Sequence, residues 1–129
     1  METVVLVVEE AGWDLEALAC LLNGRISATQ GEFLEISGNN GNAYVCELNH
    51  DEPGLYEDWP PELLRKEGRS PFSIDYRNHE IIESIIRDVT AIVPVIVDTN
   101  FGKVMRGHEF MSRVDEDFPQ WKWWDWDLR

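Results

Sequence analysis

Two short apolar runs constrain this chain more than any other feature. They are Val4-Val5-Leu6-Val7-Val8 near the start and Val93-Pro94-Val95-Ile96-Val97 near the end. Both are dominated by β-branched residues and carry no charge. Runs of this length are short for helices and fit strands covered on both faces. The second run stops at the turn sequence Asp98-Thr99-Asn100-Phe101-Gly102. Such strands lie near the centre of a sheet, so the remaining segments are expected to pack around this pair.

The segments between them divide by periodicity. Asp14 is placed to cap a helix whose Leu15, Leu18, Ala19 and Leu22 form one apolar stripe. Gly24 suits a left-handed stop after it. Residues 25–37 read as a strand interrupted at Gly31. Gly38-Asn39-Asn40-Gly41 is a turn signal leading to a return strand, with Tyr44, Cys46 and Leu48 on one side. Pro61 can open a short helix that Gly68 closes. Phe72, Ile74 and Tyr76 alternate with Ser73, Asp75 and Arg77, the pattern of a half-buried strand. Asn78 can cap a second long helix with Ile81, Ile82, Ile85, Ile86 and Val89 on its inner face. A short edge strand at 103–105 and a helix of one to two turns from Gly107 complete the expected elements.

This order predicts an α+β fold of two layers: a mixed sheet of about four to five strands with two main helices on one face. A ferredoxin-like arrangement is the nearest common architecture. Residues 1–129 then form a single domain. Residues 50–68 are a loop and short-helix insertion, and 115–129 a tryptophan-rich tail. The tail carries Trp121, Trp123, Trp124 and Trp126. Four exposed indoles would be an aggregation hazard, so a latch onto the domain is expected for some of them. A partner platform is the alternative.

The chain holds 25 acids against 11 bases, a formal net charge of −14. The first 60 residues contain 12 of those acids and only Arg25 as a base. Nucleic-acid binding and docking on an anionic membrane both need the opposite balance. The excess instead permits steering toward a basic partner. The opening residues do not resemble a secretory signal, and no apolar run approaches a membrane span. Cytoplasmic residence is therefore expected, with Cys20 and Cys46 as reduced thiols packed in the core.

No motif assembles a reaction. His79-Glu80 and His108-Glu109 begin like His-Glu-x-x-His, but Glu83 and Ser112 stand where the second imidazole is needed. Phosphate-cradling glycine loops, a Gly-x-Ser-x-Gly elbow and Cys-x-x-Cys pairs are all absent from the sequence. No metal or other cofactor is expected. Val95-Ile96-Val97-Asp98-Thr99-Asn100 resembles the first strand of PIN-domain nucleases, which implies a divalent metal on Asp98. The alternative is that Asp98 and Asn100 cap a turn.

The loop from Asp51 to Trp59 combines Tyr56 and Trp59 with Asp51, Glu52, Glu57 and Asp58. Aromatic anchors within a charged rim are the composition of a protein-binding patch. The competing reading folds Trp59 back over the sheet and leaves the acids solvated. In size, charge and lack of catalytic motifs the chain resembles small acidic bacterial immunity proteins. The segment Val97–Gly102 also resembles small uncharacterised bacterial proteins. The immunity resemblance implies a non-catalytic inhibitor of a basic protein, such as a nuclease toxin, with Asp51, Glu52, Tyr56, Glu57, Asp58 and Trp59 as its contact residues. The rival is a small metal-dependent nuclease or hydrolase using Asp98. A homodimer through an edge strand or the tail is a third reading.

Overall fold

A computed structural model of the chain describes residues 2–27, 31–38, 41–49, 55–56, 59–63, 68–99, 103–117 and 121–124. The elements run β1 (Glu2–Val8), α1 (Leu15–Leu22), β2 (Arg25–Ser27), β3 (Phe33–Gly38) and β4 (Gly41–Glu47). After a 3-10 turn at Pro61–Leu63 come β5 (Ser70–Tyr76), α2 (His79–Thr90), β6 (Val95–Asp98), β7 (Val104–Arg106) and α3 (Gly107–Asp117).

The fold is α+β, but the sheet differs from the expected one. It has seven strands in the order β2-β3-β4-β5-β1-β6-β7. Every neighbouring pair is antiparallel, so the sheet is not mixed. The two apolar runs do lie side by side, with Val5 opposite Asp98 and Val8 opposite Val95. The connection from β5 through α2 to β6 passes over β1. Strands β5 and β6 therefore run the same way but never touch, because β1 separates them. An extra strand arises where residues 25–37 split into β2 and β3 around Gly31, which has φ +89°, while the expected short edge strand forms as β7.

Three helices, rather than two, cover one face, with α2 packed against both α1 and α3. The third helix is longer than expected and reaches Asp117. Local chemistry sets the starts of the first two. The Asp14 carboxylate accepts from the Ala17 N–H at 2.9 Å, and the Asn78 side chain accepts from the Glu80 N–H at 2.9 Å. Each cap is worth about 1 kcal/mol. At the end of α1 the left-handed residue is Asn23, with φ 58°, and not Gly24. Gly24 is required for a different reason. A Cβ there would lie 2.7 Å from Leu34 Cδ1 and 2.9 Å from the Glu35 carbonyl.

The strand alternation distributes side chains to two separate clusters. Val4, Leu6, Val8, Phe72, Ile74, Tyr76, Val95 and Val97 face the helices and meet the isoleucines of α2 and Phe110 of α3. Trp123 joins this cluster and is 1% exposed, so that part of the tail is a latch. On the opposite face Val7 and Ile96 meet Tyr56, Trp59 and Leu63. The expected two-sided burial of both runs is thus met, with helices on one side and a loop on the other.

Candidate functional site

The loop aromatics singled out in the sequence are committed to the fold. Tyr56 and Trp59 are 6% and 5% exposed, with their rings edge to face at 4.7 Å between centroids. Trp59 donates its indole N–H to Asp98 Oδ2 at 2.9 Å, which ties the loop to the end of β6. The Arg69 guanidinium lies 6.0 Å from the Trp59 ring and donates to the Leu63 carbonyl at 2.6 Å. It also approaches Glu9 at 3.8 Å, and Glu9 pairs with Arg106 at 2.7 Å. Burial pushes the Tyr56 hydroxyl pKa upward, opposed by the nearby Arg69 charge. These contacts correct the expectation that Tyr56 and Trp59 stand out as anchors: the rings cover Val7 and Ile96, because that apolar surface would otherwise face water. Asp51, Glu52, Glu57 and Asp58 lie outside the described residues, as does Asn100.

Asp98 therefore serves as a hydrogen-bond acceptor for the cap. Beside it, the Thr99 backbone N–H and hydroxyl both donate to the Lys103 carbonyl, at 3.0 and 3.2 Å, and close a turn. Among the described residues no three His, Cys, Asp or Glu side chains converge as a metal site.

The cysteines also depart from the sequence reading. Both are free thiols, but Cys20 is exposed on α1 and Cys46 is half-buried. Burial, helped by the Asp75 charge, raises the Cys46 pKa and keeps it a thiol.

A polar concavity of about 560 Å³ lies on the helical side, between α2 and α3. It is lined by His79, Glu80, Glu83, Ser84, Arg87, Val114 and Asp115. The inner stripe of α2 is apolar, so positions 80, 83, 84 and 87 fall on its outer stripe, one helical turn apart. Packing of α3 alongside turns that stripe into a groove. The tail touches one of its lining residues, His79. Trp124 stacks face to face on the His79 ring, with centroids 3.4 Å apart and planes 3° from parallel. Trp123 packs edge-on against Trp124 and lies deeper, against Tyr76 and Phe110.

The electrostatics inside the groove are uneven. Arg87 is held by Asp115 through two hydrogen bonds of 2.7 and 3.2 Å. That pairing draws the Asp115 pKa down and raises that of Arg87. Burial lowers the His79 pKa, so the imidazole is neutral near pH 7, with the Glu80 charge acting the other way. Glu83, with a side chain 16% exposed, is pushed up by burial; Trp123 and Arg87 oppose that shift. Glu83 reaches His79 at 4.0 Å. A groove with three carboxylates and one already-paired arginine is suited to receive positive charge.

The sequence reading missed this groove. The available signal was the polar stripe of α2, where Glu80, Glu83 and Ser84 recur at helical spacing. Nothing in the sequence placed α3 or the tryptophans beside it. No protein-family model, curated protein or solved structure matches the chain.

Proposed function

We propose that this chain is a non-catalytic acidic module that docks on a basic protein, in the manner of an immunity or antitoxin-type inhibitor, in the cytoplasm. The observation that carries the reading is the outer surface of the helical layer. Glu16, Glu80, Asp88, Glu109, Asp115 and Glu116 are exposed along the three helices. The two arginines of those helices are spent on Asp115 and Glu109. The layer thus presents negative charge with little relief, on a rigid scaffold, and such a field accelerates encounter with a cationic surface. The paired arginines are also the reason this face disfavours anions. Two free thiols are in keeping with a reducing compartment.

The nuclease alternative is not favoured, since the Asp98 carboxylate is taken up by Trp59. The ferredoxin-like reading is supported by the central order β6-β1-β5-β4 and by the α2 crossover over β1. In that reading β2, β3 and β7 are additions.

The test is capture of partners from native lysate at low ionic strength, followed by association kinetics with the isolated partner. The expected partner is basic, and its association rate should fall at least about tenfold as salt is raised from low to high. A partner of acidic sequence, or a rate indifferent to salt, overturns the reading. Charge reversal at Glu80, Asp88 and Glu116 should slow association more than reversal at Asp51, Glu52, Glu57 and Asp58. The opposite order would return the contact to the loop.

A further inference from the structure

We propose that the concavity between the start of β4 and the end of β5, on the sheet face opposite the helices, binds a monocarboxylate carried on a flat apolar group, with Arg77 as its counter-ion. The inference is independent of the docking reading above, because it concerns the other side of the sheet and a ligand of the opposite charge.

Strand alternation builds the site. Ala43 and Val45 of β4 point into the helical core, as do Ile74 and Tyr76 of β5. Asn42, Tyr44 and Arg77 therefore project to the other face. Ala43 stands opposite Tyr76, so Asn42 falls beside Arg77. Together with Gly41 these residues line a cavity of about 330 Å³, at the lower end of the range for small-molecule sites. A Cβ at Gly41 would meet nothing within 4 Å, so the backbone there borders open space.

Arg77 is set apart from the other arginines. Six lie among the described residues, and five of them are ion-paired. Arg77 makes neither an ion pair nor a hydrogen bond there, although the chain holds 25 acids against 11 bases. The carboxylates on the neighbouring cross-strand row are engaged elsewhere. Asp75 accepts from the Thr3 hydroxyl at 2.6 Å, and Glu35 faces Arg25 at 3.9 Å. An unpaired guanidinium at a cavity wall presents its planar fork to a carboxylate, which accepts two parallel bonds. Asp75 and Glu35 repel a second negative charge, which selects a monoanion over a dianionic phosphate.

Tyr44 sets the rest of the ligand. Its ring is half-buried and lies edge to face against Phe33, with centroids 5.9 Å apart and planes at 71°. A ring packed in this way is a wall on which a planar group stacks with little ordering cost. The Asn42 amide supplies a further donor for a carboxylate oxygen. Such a carboxylate has two sources, a free aromatic acid or the C-terminus of a peptide ending in an aromatic residue.

The experiment titrates the isotope-labelled full chain with benzoate, benzamide and the peptide acetyl-Gly-Gly-Phe, following backbone amides by NMR. Benzoate should move the Asn42, Tyr44 and Arg77 signals, with a dissociation constant of about a millimolar. Benzamide, which has the ring without the charge, should bind at least about fivefold more weakly. Arg77→Gln should weaken benzoate by about the same factor, and Arg113→Gln, on the helical side, by less than about twofold. The benzamide comparison needs no variant, so the test stands even if Arg77→Gln folds poorly. Tighter binding of the peptide than of benzoate assigns the site to a peptide C-terminus, and the reverse order assigns it to a free acid. Silence of those amides, benzamide binding as tightly as benzoate, or equal weakening by Arg77→Gln and Arg113→Gln would each overturn the site and leave the acidic docking reading untouched.

Discussion

The two faces of the sheet are covered by different physics. On the helical face three helices and Trp123 bury one continuous cluster that draws on nearly every strand. On the other face Tyr56, Trp59 and Leu63 cover little more than Val7 and Ile96. The first cover is held by area. The second is held by a few directional contacts: Trp59 to Asp98, Arg69 to the Leu63 carbonyl, and Arg69 over the Trp59 ring. Burial spread over many side chains opens only when the whole domain unfolds. A cover resting on few contacts can open alone. The difference predicts that the cap and the helical layer are separable units of stability, although the sequence pattern of β1 and β6 demands both.

The comparison would break first at Phe110. It is fully buried against Trp121 and Trp123, at centroid distances of 5.2 and 5.3 Å. Phe110→Ala should destabilise the domain by about 3–5 kcal/mol, read as a lower urea midpoint with one cooperative transition. A two-step transition would show that α3 and the latch are not part of the main unit.

A smaller effect is expected at the cap. Trp59→Phe keeps a ring over Ile96 but removes the indole donor to Asp98, and should cost about 1–2 kcal/mol. Hydrogen exchange should rise at the Trp59 and Leu63 amides and leave the β1 amides protected. Exchange rising equally in β1 would show that the cap does not open alone. Asp98→Asn retains an acceptor and should cost less than Trp59→Phe; an equal cost would point to the charge as the part that matters.

The smallest effects separate the faces by pH. Burial holds the Tyr56 pKa above its ordinary value of 10.0. The stability this represents is complete below pH 10 and drains away as pH climbs toward the raised value. Tyr56→Phe should therefore flatten the alkaline loss in thermal midpoint. His79 behaves oppositely. Its pKa is depressed below 6.5, so its contribution is present above that pH and is lost as pH falls toward the depressed value. Glu83, raised above 4.5, favours the fold at acid pH and loses that contribution as pH rises through its own raised pKa. Glu83→Gln should accordingly raise the thermal midpoint at pH 7 by a few degrees, about 1 kcal/mol or less. A lower midpoint would mean that the ionised carboxylate already has a partner in the fold.

Much of the architecture was legible because it depends on near neighbours in the chain. Asp14 and Asn78 cap the helices they precede, and the inner stripe of α2 runs through the five expected apolar positions. The hairpin closes where Gly38 meets Gly41. Errors arose where distant segments compete for one role. Asn23 takes the left-handed position that Gly24 also suits, while Leu34 from another strand dictates the glycine. For Trp59, local composition allowed both a surface anchor and a cover; the apolar Val7 and Ile96 beneath it decided the matter.

By itself, then, the order of residues determined the starts of the first two helices, strand alternation, the strong negative charge and the need to cover both apolar runs twice. Those properties follow from rotation per residue, capping and solvation, which act over a few positions. Only the tertiary structure decided that β1 separates β5 from β6, that a loop rather than a helix seals the second face, and that α3 converts the polar edge of α2 into a groove. Strand neighbours and groove walls are set by contacts across the whole chain, whose energies depend on which surfaces are brought together and not on local spacing.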